Sequence, residues 1–423
     1  MTTRRFKQDL EHRSALAGAV GNALEWYDFT IYGFGAHIIG RLFFPAADPV
    51  VSLLATYGVF ASAFLVRPLG SLFFGHVADR YGRTPTLTLS VGLMAVATVC
   101  IGLLPTYAAV GIAAPVLLVV SRLLQGLSVG GEFTTSITFL GERCPPRRRG
   151  LYCALPACTI GVGQMLGSFV FFLVEASLSR EAVLDWGWRI PFLFGLVLGA
   201  STLWLRRAIL VVDRPPPVER AFPIVEAVWN EGRAMLCGFL ISVLAGVGIY
   251  LGVIYLRGFM VRTDGLTPAA ASGIGTIGTA ILIVSGPIFG ALSDRVGRRP
   301  VMLAGAAAFI VLSFPIFRLL THAEPTFVLA GEVLYMLVLS VYIGPLGAML
   351  TELFSQRVRG SGSAVSYNLA LGIFGGTTPA ILVYLVAETH SANAAPLWLP
   401  LAAALGLAGV LLAPERAGEP LRP

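Results

Sequence analysis

The chain has 423 residues, 56% of them hydrophobic and 13% charged, with a mean hydropathy of +0.79. A soluble domain carries about 25% charged residues and cannot hide this much apolar surface, so a water-soluble globular protein is excluded. The formal net charge of +7 follows from the placement of basic loops described below, and is not the footprint of a nucleic-acid binder.

Apolar runs of about 20 residues, the span of a bilayer core, recur along the whole length. Twelve are predicted, centred near Tyr27, Phe64, Gly92, Gln125, Val162, Val197, Gly246, Ile281, Phe309, Leu339, Ile373 and Leu405. A β-barrel would instead alternate apolar and polar residues over about ten positions. The expected fold is therefore an all-α membrane protein.

Before the first run stand Arg4, Arg5, Lys7 and Arg13, with no small-residue cleavage site behind a short apolar core, so the run reads as a span and not as a signal peptide. Inside it lie Asn22, Glu25, Asp28 and Tyr32, gathered within about 120° of arc at roughly 100° per residue. An Asp at a helix centre costs about 3 kcal/mol on insertion scales. One face of this helix is therefore expected to look into an interior cavity, where a carboxylate can load and release a proton or meet a substrate.

Arg67 precedes Pro68 in the second run, where pairing with a carboxylate and a direct role are equally open. In the fourth run Arg122 is followed one turn on by Gln125, and Glu132 comes deeper, after Gly130 and Gly131. Arginine does not deprotonate in a protein, so Arg122 offers fixed charge, either to a neighbouring carboxylate or to an anionic substrate. Glu132 is a second proton or substrate candidate. Gln164 in span five, Tyr250, Tyr255 and Arg257 in span seven, Glu332 in span ten, and Tyr367 and Asn368 in span eleven are expected to complete the cavity. The five cysteines show no paired spacing, and neither a disulfide framework nor a metal site is expected.

Two motifs recur about half a chain apart. GHVADRYGRTP (Gly75–Pro85) and GALSDRVGRRP (Gly290–Pro300) share G-x-x-x-D-R-x-G-R-x-P, and GERCPPRRRG (Gly141–Gly150) and TELFSQRVRG (Thr351–Gly360) share E-x6-R-G. Each half thus has six spans, with matching motifs after its second and fourth. The expected units are 1–205, a linker 206–233 containing Pro215–Pro217, and 234–423. Most of the 30 basic residues fall on one side if the runs alternate, which places both termini and the motif loops in the cytoplasm of a plasma (inner) membrane protein.

This layout of parallel repeats is a secondary-transporter plan, with the substrate site between the halves. G-x-x-x-D-R-x-G-R after spans two and eight, with RLLQGLSVGGE (Arg122–Glu132), resembles the major facilitator superfamily. GNALEWYDFTIYGFG, FLVRPLGSLFFGHVADRYGR, WGWRIPFLFG and SYNLALGIFGGTTP are similar to the metabolite:proton symporter family, which includes citrate, 2-oxoglutarate, shikimate and proline/betaine carriers. Thr84 departs from that pattern, standing where the first loop motif usually has a basic residue. The heptad-bearing tail of osmosensing carriers does not follow span twelve.

The resemblance implies that Gly75, Asp79, Arg80, Gly82 and Arg83, with Gly290, Asp294, Arg295, Gly297 and Arg298, form gating loops, joined by Glu142, Arg149, Glu352 and Arg359. A carboxylate such as Asp294 can accept from the N-terminus of the helix opposite and from Arg149 or Arg359. The expected activity is proton symport of a small carboxylate or zwitterion by a monomer in the lipid bilayer. Its driving force is the proton gradient, with no cofactor. The sole lysine is Lys7 and no P-loop is present, so ATP is not the expected fuel. An exporter exchanging a drug or metabolite for protons, or an osmolyte uptake carrier, is the alternative. Span five, IGVGQMLGS, lacks the Gly-Pro pair usual in such exporters. Neither a nucleophile–base pair nor a metal motif points to an enzyme.

Overall fold

A computed structural model describes residues 22–70, 73–74, 77, 83–128, 132–209, 229–263 and 265–422, the side chains of 83–87, 132, 205–209, 263 and 393 excepted. Gly75, Asp79, Arg80, Gly82 and residues 210–228 of the linker lie outside the described residues. Arg83 and Glu132 are described in their main chain alone.

Among the described residues, every expected run is helical. In chain order the helices are α1 (22–43, turning at Gly35), α2 (Pro49–Gly70), α3 (Arg83–Leu103), α4 (Ala113–Ser128 and Glu132–Arg143), α5 (Arg149–Ser177) and α6 (Arg180–Gly187 bent by 49° into Arg189–Ile209). They continue as α7 (Gly232–Arg262), α8 (Pro268–Val296), α9 (Arg298–Leu320), α10 (Pro325–Leu353), α11 (Arg359–Thr389) and α12 (Ala394–Leu412). Among the described residues, nine helices are long and apolar enough to cross a membrane, and the bent pair of α6 makes a tenth. The other two expected spans are α1, whose middle carries the acids, and α3, whose apolar part shortens to Thr88–Leu103.

Local chemistry sets the ends. Asp48 accepts from Val50 N at 2.8 Å with Pro49 opening α2, and Thr267 accepts from Ala270 N at 3.2 Å with Pro268 opening α8. A side-chain acceptor satisfies an orphan amide and proline needs none, which makes both residues strong helix starts. Gly297, at φ +103°, breaks α8 from α9 in a single residue, a conformation that side-chain-bearing residues avoid. Wide π turns interrupt α7 at Tyr250–Tyr255 and α11 at Leu371–Gly375.

Helices α7 and α10 are buried over most of their apolar windows, 89% and 78%, whereas α8, α9 and α12 are buried over less than half. Large apolar side chains point outward from the peripheral helices, among them Val96, Leu196, Trp204, Val311, Phe314 and Leu401. Lipid tails accept such a surface without penalty, so packing contacts and not hydrophobicity hold these helices together. α5 and α8 meet along their whole length: Gly150 against Gly290 at one end, Cys158 Sγ on Ile283 O at 3.4 Å, and Ser168 Oγ within 2.8 Å of Thr276 Oγ1. A Cβ on Gly150 would stand 2.2 Å from Gly290 O, so only glycine permits this approach. On the other side of the seam Phe64 of α2 packs on Tyr250, at 4.9 Å between rings, and against Gly372 and Gly376 of α11.

Candidate functional site

The polar residues of α1 do not share one destination. Asn22 Nδ2 donates to Ser136 Oγ of α4 at 3.5 Å, and Glu25 lies 3.5 Å from Arg67 of α2. Asp28 faces α6, where a Cβ on Gly195 would stand 3.5 Å from its Oδ1, and Tyr32 donates to Thr56 O of α2 at 3.2 Å. The expected single face toward an inter-half cavity is therefore corrected in part. Glu25, beside Arg67, stays at the seam near Tyr250 and Tyr367 of the second half, while Asn22, Asp28 and Tyr32 address α4, α6 and α2 of their own half. A buried helix has neighbours on all sides, and its 120° of polar arc is wide enough to address several of them.

Arg122 is wholly buried behind that face. Its Nη1 donates to Gln125 Oε1 at 2.7 Å, and Gln125 Nε2 donates to Thr98 Oγ1 of α3 at 2.6 Å. The guanidinium lies 4.1 Å from the Tyr32 ring centre and 5.1 Å from that of Phe29. Its Nε and Nη2 have no partner among the described residues, and neither has either carboxylate oxygen of Asp28. A fixed cation and a buried acid thus stand in one packed half without an ion pair between them.

Arg67 lies on the seam between the halves, 4.2 Å from the centre of Phe64 and 4.5 Å from that of Phe29. Trp26, itself 5.8 Å from Tyr250 of α7, closes the same aromatic group. Further along the seam a cavity of about 20 Å³ is lined by Gln164, Tyr367, Phe133, Cys153, Leu282 and Gly347, room for about one water. Tyr367 packs on Phe133 at 4.8 Å, and Asn368 beside it is half-buried. Tyr255 does not line this cavity; its ring packs on Phe259 at 5.6 Å, near Arg262. Both carboxylate oxygens of Glu332 are buried without a partner among the described residues, pressed against Gly278 of α8.

The end carrying the repeated motifs is closed by a crossed pair of salt bridges. Arg149 Nε donates to Gly141 O at 3.2 Å and Arg359 Nε to Thr351 O at 3.1 Å, each folding back eight residues over its own turn. That leaves the outer guanidinium nitrogens for the opposite half: Arg149 reaches Glu352 at 2.8 Å and Arg359 reaches Glu142 at 2.6 Å. Asp294 accepts from the Gly150 and Leu151 amides at 2.8 and 3.0 Å and from Arg298 at 2.7 Å, not from Arg149 or Arg359. The free amides of the first turn of α5 are the nearer donors, and a helix N-terminus favours an anion. Arg298 also holds Glu352, at 3.2 Å. Arg295 is exposed and takes no part among the described residues.

The segment after α12 laces across this closure. Glu415 accepts from the Arg298 and Arg299 amides, Glu419 O from Arg149 at 3.2 Å, and Arg422 O from Arg359 at 2.9 Å.

At the far end the halves also touch. Arg257 of α7, expected in the cavity, instead meets Glu175 of α5 at 2.5 Å. Nothing in the sequence linked Glu175 or its neighbour Ser272 to a site. Each is a single polar residue near the end of an apolar run, and its partner lies on another helix.

A family model described as Major Facilitator Superfamily matches residues 19–365. The proline/betaine transporter of Escherichia coli is 33% identical over 432 aligned positions, covering 97% of this chain and 85% of that protein. The alpha-ketoglutarate permease of Escherichia coli is 36% identical over 369 positions, covering 86% of this chain and 85% of that one. In structure, a D-xylose-proton symporter superposes with a TM-score of 0.76 at 20% identity, covering 97% of this chain and 99% of that one. The match along most of the chain and the paired six-helix plan lead to one assignment: this integral membrane protein belongs to the Major Facilitator Superfamily of transporters.

Proposed function

We propose that the protein carries a small carboxylate or zwitterion across the membrane together with a proton, as a monomer whose halves, 1–205 and 234–423, rock about the seam between them. The linker 206–233 lets the two bodies move. One observation carries the reading: two buried guanidiniums, Arg67 and Arg122, stand beside the two acids of α1 while the seam is closed at both ends. Arg67, with Gln164 and Tyr367 further along the seam, meets the anionic end of the substrate. Glu25 answers a cationic end, or releases Arg67 to a purely anionic one. Asp28 holds the proton in the closed state, since an unpaired buried carboxylate is far too costly to keep charged. Arg122, one layer behind, favours its release once water reaches it.

Relatives named for proline/betaine and for alpha-ketoglutarate support both substrate types. The aromatic group of Trp26, Phe64 and Tyr250 favours a zwitterion with a quaternary ammonium, whose charge would replace Arg67 on those ring faces. The basic loops support a cytoplasmic motif end in an inner-membrane protein.

The test is uptake into proteoliposomes under an imposed pH gradient, with proline, glycine betaine and 2-oxoglutarate as probes and a thermal-shift screen alongside, since bound ligand stabilises by mass action. Accumulation that collapses with a protonophore supports the reading. Gradient-driven efflux without uptake would establish the exporter instead.

A further inference from the structure

The far end of the seam holds a closed polar ring that no part of the proposed binding site uses. Arg257 Nη2 of α7 lies 2.5 Å from Glu175 Oε1 of α5, Ser272 Oγ of α8 donates to Glu175 Oε2 at 3.0 Å, and Arg257 Nε donates to the same Ser272 Oγ at 2.7 Å. The Arg257 and Glu175 side chains are only 3% and 6% exposed. The remaining guanidinium nitrogen, Nη1, donates to Phe34 O of α1. That carbonyl is available because α1 turns at Gly35: the Ile38 amide, its ordinary helical partner, donates to Gly35 O instead, at 2.9 Å. Phe34 and Phe171 rings flank the guanidinium at 5.2 and 5.4 Å.

We propose that Arg257, Glu175 and Ser272 are the far-end gate of the transport cycle, a latch that holds the halves together there and must break before the site opens on that side. α1 and α5 belong to the first half, α7 and α8 to the second, so every bond from Arg257 to Glu175 or Phe34 crosses the seam. The bonds are charge-assisted and shielded from water, the condition in which they hold hardest. At the motif end the crossed Arg149–Glu352 and Arg359–Glu142 pairs do the same work in the opposite sense. Removing one closure should therefore push the protein toward opening on that side, because closure at the two ends competes for the same two bodies. The inference rests on the alternating motion proposed above and needs no substrate identity.

The experiment uses the full chain in nanodiscs with native cysteines replaced. Spin labels at Arg180→Cys and Ala323→Cys read the far end, and labels at Arg147→Cys and Arg357→Cys read the motif end; all four positions are exposed. Glu175→Gln should lengthen the far-end distance and raise the ratio of open to closed by on the order of tenfold, the weight of one charge-assisted bond. Ser272→Ala keeps both charges, and should move the same way by less if Glu175→Gln does not fold. Glu352→Gln should lengthen the motif-end distance and leave the far end closed. Unchanged far-end distances in Glu175→Gln and Ser272→Ala would overturn the latch. Halves that never separate at either end, even in Glu352→Gln, would overturn the alternating motion itself.

Discussion

Arg149 of α5 and Glu352 of α10 lie 2.8 Å apart across the seam, and both belong to copies of one E-x6-R-G motif. The motif's acid and base never pair with each other. Each arginine folds back over its own turn and spends its outer nitrogens on the acid of the other copy, so a sequence repeat becomes a fastening between halves. Only 2% of the Glu352 side chain is exposed, against 39% for Glu142.

That difference in exposure separates two variants. Glu352→Gln leaves Arg149 buried without its acid and Arg298 with Asp294 alone, and should cost about 3–5 kcal/mol of stability in the closed state. Glu142→Gln breaks a pair open to water and should cost about 1 kcal/mol or less. Thermal melting of the two purified variants checks the order; equal losses would assign Glu352 no special share in the closure.

Asp28 and Glu25 should part company. Asp28 has no hydrogen-bond partner among the described residues, so Asp28→Asn should leave the melting temperature unchanged or higher. Proton-driven accumulation should be lost while substrate exchange without a gradient persists. Glu25→Gln, which removes the acid 3.5 Å from Arg67, should weaken substrate binding before it uncouples. Uptake and counterflow in the same proteoliposomes distinguish the two.

Arg122→Lys should lower transport strongly although the charge is kept. Lysine presents a compact ammonium in place of the planar fork that now meets Gln125 and lies on Tyr32. Arg122→Ala should nearly abolish uptake with protein still made. Near-normal uptake by Arg122→Ala would remove the residue from the mechanism.

Gly150→Ala should hold the motif end open. Its added Cβ would meet Gly290 O at 2.2 Å and the Arg298 guanidinium at 2.6 Å, and a backbone carbonyl cannot step aside as a flexible side chain can. Labels at Arg147→Cys and Arg357→Cys should then read a longer distance, with transport reduced about tenfold or more. A closed distance distribution would mean that α5 and α8 slide to accommodate the methyl group.

By itself the sequence determined the helices, their order and the two copies of each loop motif. A bilayer demands about 20 apolar residues per crossing and caps act within one turn, so these features depend on neighbours in the chain. It also marked Glu25, Asp28 and Arg122 as candidate site residues and left Arg67 open between pairing and a direct role, because charge inside a span is expensive wherever it ends up pointing. The tertiary structure alone decided what each charge meets. Arg67 took Glu25, Asp28 was left unpaired, Arg149 chose Glu352 over Asp294, and Arg257 left the expected cavity for Glu175. Each of these choices depends on which helices pack together and on how they turn, at Gly35 or the π turn of α7. Hydropathy says that a helix is buried; it does not say against which neighbour, and in a membrane no gradient of polarity between helices breaks the tie.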